Sequence, residues 1–223
     1  MPKRWKDTLT SAEQKILRRL DSPKKIQDYL DALPFNFEEG GETCLSPRRV
    51  MREQRAHCME GALFAALARR IHGHPPVILD LTAAYHDVDH IVTPFKEAGR
   101  WGAISKTNHN VLRYREPIYR SIHELVLSYF HEYFDDQGRK TLRSYTSCID
   151  LRRFDKQQWM TDDQDLWYLV KGIIDLPHQD ILTDAQRRNL RKADGVERYS
   201  SSFPEWTAQD KRNPCINPPY AIL

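Results

Sequence analysis

The chain has 223 residues, with 34 Lys plus Arg against 31 Asp plus Glu, a formal net charge of +3. So even a balance lacks the basic excess of an obligate nucleic-acid binder and argues against a nucleic-acid partner. Apolar residues at 40% and aromatics at 10% are enough for a core and place the chain outside the disordered class.

The length fits a single domain over residues 1–223. No window approaches ~18 uncharged apolar residues, so neither a membrane-spanning helix nor a membrane partner is expected. The basic start, Met1 to Lys6, has no apolar stretch behind it, so no secretory signal is expected either. Cys44, Cys58, Cys148 and Cys215 are scattered, without a C-x-x-C pair. That spacing suits free thiols in a reducing compartment, and a cytoplasmic location follows as the expectation.

Thr10-Ser11-Ala12-Glu13 caps a first helix, continued by Ile16, Leu17 and Leu20. Ser22-Pro23 opens a second, which Pro34 ends. The segment from Phe35 to Leu45 reads as a loop, and Ser46-Pro47 starts a short helix reaching Gln54. From Cys58 to Ile71 the residues turn small and apolar, which predicts a buried helix stopped by Gly73. Val77 to Leu81, Asp89 to Phe95 and Trp101 to Ser105 read as three strands. Lys96 to Arg100 forms the hairpin connection between the last two. After Pro117, the spacing of Ile118, Ile122, Leu125, Val126, Tyr129, Phe130 and Tyr133 predicts a helix running toward Gly138. Further helices are expected over 162–174 and 183–192, before an irregular tail at about 200–223. The paired basic residues, such as Arg48-Arg49 and Arg69-Arg70, read as solvated helix faces and local ion pairs. This order is α+β: a buried helix packed on a small antiparallel sheet, with extra helices at both ends.

Chemistry concentrates around two residues. If a helix begins at Cys58, the unpaired N–H groups of its first turn and its dipole favour a thiolate. The competing reading is one continuous helix from Pro47 to Ile71, with Cys58 an ordinary small core residue. His90 stands at the head of the second strand. A loop of Glu97 and Ala98 alone places Ser105 directly opposite it; a longer, glycine-shifted loop slides the partner toward Thr107 or Asn108. Either way a polar group lies beside the imidazole, where a base needs an orienter.

The stretch from about Ser46 to Asn110 resembles the transglutaminase-like (papain-like) cysteine enzyme superfamily. The matching residues are Ser46-Pro47, His57-Cys58-Met59-Glu60-Gly61-Ala62-Leu63-Phe64, Asp89-His90-Ile91-Val92 and Gly99-Arg100-Trp101-Gly102-Ala103-Ile104-Ser105. The resemblance implies a papain/transglutaminase-like core over about 46–110; the helical part at about 117–195 rests on the residue spacing described above. The resemblance also implies Cys58 as nucleophile and His90 as general base, acting without a cofactor on an amide or ester of a peptide or other amide-containing substrate. Ser105 stands where the family usually has an aspartate, and Asn108 is a second candidate orienter, as asparagine is in papain-like enzymes. Gln54 or the Cys58 N–H would donate to the oxyanion.

Two rival functions share these residues. A catalytically inactive binding module keeps the fold and lacks the reaction. A metal-dependent hydrolase would use His86, Asp87, Asp89 and His90; on a strand, however, residues i and i+4 lie about 13 Å apart and cannot chelate one ion.

Overall fold

Hydroxyl side chains begin the N-terminal helices of this protein, whose computed structural model describes residues 5–201. Thr10 accepts from the Glu13 N–H at 3.2 Å, and Glu13 accepts in return from the Thr10 N–H at 2.7 Å. This capping box opens α1 (Ser11–Arg19). Ser22 with Pro23 opens α2 (Pro23–Ala32), and Ser46 with Pro47 opens α3 (Pro47–Glu53). Proline suits a first turn because its missing N–H has no helical partner to lose. Gln54 ends α3 in the left-handed region, at φ 54°. A separate helix, α4 (Cys58–Ile71), then begins at Cys58. The continuous helix from Pro47 to Ile71 is therefore excluded.

Every residue of α4 from Met59 to Arg70 is buried. Gly61 explains how closely the helix packs: a Cβ there would lie 2.6 Å from the Lys106 Cβ. The sheet follows with β1 (Val77–Ala83), β2 (His90–Glu97), β3 (Arg100–Ile104) and β4 (Arg115–Tyr119). After α5 (Ile122–Phe130) come β5 (Leu142–Thr146) and β6 (Ile149–Asp150). Then α6 (Trp167–Ile174), β7 (His178–Asp180), α7 (Asp184–Arg188) and α8 (Gly195–Ser201) complete the order. The strands lie as β4-β3-β2-β1-β5-β7, with β6 also on β1. All pairings are antiparallel, so the architecture is α+β.

Alternation along the strands sorts the core into two layers. Ile78, Ile91, Phe95 and Ile104 join the cluster that contains α4, and the Thr93 hydroxyl donates to the Ala62 carbonyl at 2.8 Å. Leu79, Leu81, Val92 and Ala103 face the other way, against Leu125, Val126 and Tyr129 of α5.

Several expected elements differ from those observed. The hairpin turn is Ala98-Gly99, both at positive φ (46° and 77°), so Glu97 pairs with Arg100 and Thr93 with Ile104. Two consecutive positive φ values match the twist of the flanking strands, and this is the glycine-shifted alternative: the register carried on aligns Thr107, not Ser105, with His90. The segment around Pro117 and Ile118 is strand β4 rather than helix; α5 begins only after the Ser121 cap and ends at Phe130. The part after residue 117 therefore carries four strands as well as helices. The helix expected over 162–174 starts at Trp167, because the Asp165 carboxylate is spent on the Cys44 N–H (3.0 Å) and Arg49 (2.7 Å). The helix expected over 183–192 shortens to α7 behind its Thr183 cap. Arg69 and Arg70 are buried, not solvated, and Arg70 meets both Asp155 oxygens at 2.6 Å. The tail beyond Ser201, with Cys215, lies outside the described residues. Among the described residues, no helix is long and apolar enough to cross a membrane.

Candidate active site

Cys58 is the first residue of α4, and the residue capping that helix is His57. A histidine is an unusual cap. Its Nδ1 lies 3.3 Å from the Met59 N–H, while Glu60 at the third helical position accepts from the His57 N–H at 2.9 Å. Glu60 is wholly buried and also accepts from Leu45 N (2.9 Å), Thr43 Oγ1 (2.8 Å) and Asn36 Nδ2 (3.0 Å). A buried carboxylate with this many donors stays ionised. Burial pushes its pKa up, but hydrogen bonding and the charge of His57 and the backbone donors outweigh that and bring it to about 2.

The Glu60 oxygen lies 3.3 Å from His57 Nε2, which also faces the Thr43 carbonyl at 3.1 Å. Burial pulls the His57 pKa down, whereas hydrogen bonds to Cys58 and Glu60, with their negative charge, raise it. The Met59 N–H works against that rise, since it favours an unprotonated Nδ1. A buried carboxylate is the stronger influence than one long amide contact, and the ring is driven toward imidazolium.

The Cys58 thiol is therefore enclosed by two imidazoles. Burial alone would raise its pKa; hydrogen bonds from His57 and His90, reinforced by their charges, lower it to about 5. Cys44 and Cys148 lack such neighbours, and burial pushes both thiols up. His90 is the first residue of β2 and is 5% exposed, so it is not a solvated strand end. Its Nε2 lies 2.8 Å from Ser105 Oγ. Both residues alternate onto the α5 face of the sheet, and the new register sets them on a diagonal rather than across from one another. Because His90 sits at the very end of its strand, its ring still reaches the thiol at the α4 N-terminus.

These groups open on a cavity of about 720 Å³, lined by Cys58, His90, Asn108, Tyr133 and Phe134 among others. Asn108 thus lies on the cavity wall, while the His90 nitrogen that could meet an orienter is already held by Ser105. Gln54 is placed elsewhere. Its left-handed backbone turns the exposed side chain back to the Met51 carbonyl at 2.6 Å, away from an oxyanion position. The residues proposed for a metal diverge in their partners. His86 meets Asp135 at 3.2 Å, Asp87 accepts from Thr141 at 2.5 Å, Asp89 caps the Ala83 N–H at 2.7 Å, and His90 serves Ser105. Among the described residues, no group of three or more His, Cys, Asp or Glu side chains is arranged to hold a metal ion.

Two further residues belong to this neighbourhood and escaped the sequence reading. One is Glu60, whose position three residues after a cap was a readable signal. The other is Asp80 on β1, 4% exposed, with Oδ1 unpartnered and Oδ2 accepting from Thr82 at 3.2 Å. Burial first, then the charge of Asp89, raises its pKa to about 7, and it feels the charges of Cys58 and His90. In comparisons with known proteins, no family profile matches this chain and no curated protein matches it significantly.

Proposed function

We propose that the protein is a thiol hydrolase or acyltransferase of the transglutaminase-like (papain-like) type, acting on an amide or ester carbonyl. The observation that carries this reading is the placing of Cys58 at the first turn of a buried helix, where it lines the large cavity together with His90, and where the two imidazoles lower its pKa. Such a thiol is largely thiolate at neutral pH and is the attacking species. His90 holds the thiol proton as the sulfur adds to the carbonyl carbon. When the tetrahedral adduct collapses, the C–N or C–O bond breaks and His90 delivers that proton to the leaving amine or alcohol. Water or a second amine then attacks the thioester carbonyl, giving up a proton to His90; the C–S bond breaks, the acid or new amide leaves, and the thiolate beside protonated His90 is regenerated. With Gln54 turned away, the Cys58 N–H at the start of α4 is the donor for the developing oxyanion. Ser105 positions the ring.

The test uses an activated ester such as p-nitrophenyl acetate. Mass spectrometry is expected to find a transient acetyl group on Cys58, absent in Cys58→Ala and strongly reduced in His90→Ala. Acetylation confined to other side chains would overturn the reading. An inert Cys58 would leave the inactive binding module as the better account, a reading favoured by the serine at position 105, where a carboxylate would be expected.

A further inference from the structure

We infer that the Leu112 carbonyl, held in place by Glu132 and Arg115, takes the orienting role that a carboxylate usually has, by fixing His90 in its Nε2–H tautomer. This inference rests on the reading of Cys58 and His90 as a nucleophile and its base. A hydroxyl has one proton to donate. Ser105 Oγ lies 2.5 Å from the Leu112 carbonyl oxygen, which can only accept, so the hydroxyl proton is committed there. At 2.8 Å from His90 Nε2, Ser105 must then act as the acceptor, and the ring carries its proton on Nε2. Nδ1 is left with its lone pair for the thiol proton. Were the hydroxyl free to rotate, it could donate to Nε2 instead, and the basic nitrogen would face the wrong way.

The surrounding structure holds both ends of this relay. Gln27 clamps the Ser105 backbone, accepting from its N–H at 2.9 Å and donating to its carbonyl at 2.8 Å. Leu112 sits at φ 58°, a left-handed conformation that a leucine adopts only under constraint. The constraint is Glu132, which accepts from the Leu112 N–H at 2.8 Å and from Arg115 at 2.6 Å. Arg115 is itself fixed to α5 by the Ser128 carbonyl (3.2 Å) and hydroxyl (3.1 Å), and lies 4.1 Å above the Tyr129 ring. Leu112, Glu132 and Arg115 are thus positioning residues. Strain at Leu112 is sustained so that its carbonyl points at Ser105.

Nitrogen NMR of His90 reads the tautomer directly. In the Cys58→Ala protein, the neutral form of the ring is expected to carry its proton on Nε2. Adding Glu132→Ala lets Leu112 relax and is expected to give a mixture of tautomers. Adding Leu112→Gly to that variant is expected to restore Nε2–H, because glycine takes a positive φ without strain. If Glu132→Ala does not fold, Glu132→Asp keeps the charge beside Arg115 but withdraws it from the Leu112 N–H, and a smaller shift toward the mixture is expected. With Cys58 intact, Glu132→Ala should slow iodoacetamide labelling of Cys58 near pH 6 by roughly tenfold or more. An Nδ1–H tautomer in the parent, or an unchanged tautomer in the Glu132 variants, would overturn the inference. A fixed Nε2–H tautomer beside an unreactive Cys58 would instead overturn the catalytic reading and leave the relay standing.

Discussion

Replacing Glu60 by Gln keeps the volume of a wholly buried side chain and removes its charge. One carboxylate oxygen accepts from Thr43 and Leu45 and lies near His57 Nε2; the other serves Asn36 and the His57 N–H. An amide has a single oxygen, so its NH2 must face at least two buried donors. Each lost acceptor costs about 1–3 kcal/mol. The fall of the Glu60 pKa from about 4.5 to about 2 leads independently to about 3 kcal/mol favouring the carboxylate in the folded protein. Two lost acceptors amount to about 2–6 kcal/mol, a range that contains the linkage figure of about 3 kcal/mol at pH 7. Because the folded pKa is depressed, this stabilisation is present above about pH 4.5 and lost as pH falls toward 2. Urea unfolding of wild type and Glu60→Gln at a series of pH values gives both quantities. The variant should be less stable by about 3 kcal/mol at pH 7, with the gap closing in acid below pH 4.5. A gap under about 0.5 kcal/mol at pH 7, or one that persists unchanged at low pH, would refute the reasoning.

Asp80→Asn should show the opposite pH dependence. The raised folded pKa gives a contribution fully present below about pH 3.8 and lost as pH rises through about 7; the variant should therefore be more stable than wild type near pH 8, by up to about 4 kcal/mol, and similar to it in acid. A variant no more stable than the wild type at pH 8 would contradict an ionised, unpartnered Asp80. Gly61→Ala gains about 1 kcal/mol of helix propensity but drives a Cβ to within 2.6 Å of Lys106 Cβ. A net loss of about 1–2 kcal/mol in denaturant unfolding is expected, and a stabilised variant would show that α4 has room to spare. Near pH 6, iodoacetamide should label Cys58 well before Cys44 or Cys148, whose thiols burial pushes up. Comparable labelling of all three would remove the distinction between them.

The start of α4 was legible because the composition changes abruptly at Cys58, and because Ser46-Pro47 announces a separate helix before it. His90 was legible as the head of a β-branched run. The helical spacing from Ile118 onward misled, since Ile118 is an exposed residue of an edge strand and only the part after Ser121 is helix. β5, β6 and β7 are 5, 2 and 3 residues long, too short for a periodic signal, and tertiary pairing alone defines them. His57 went unread because an imidazole cap lies outside the usual Ser, Thr, Asp and Asn set. Gln54 was misplaced for a conformational reason: nothing in the sequence marks its left-handed backbone, which sends the side chain to Met51. Of the two registers the sequence left open, the glycine-shifted one is observed, and the Ser105 contact holds in it because positions of like parity share a strand face, so a diagonal neighbour replaces a direct one.

The central claim is that Cys58 is a thiolate at neutral pH because His57 and His90 enclose it. The most direct measurement is the pH dependence of its alkylation rate, followed peptide by peptide in the wild type and in His90→Ala. The account predicts a wild-type midpoint near pH 5 and, in the variant, a midpoint displaced upward toward the ordinary thiol value near 9. A wild-type midpoint already near 9, or one that His90→Ala leaves in place, would contradict it.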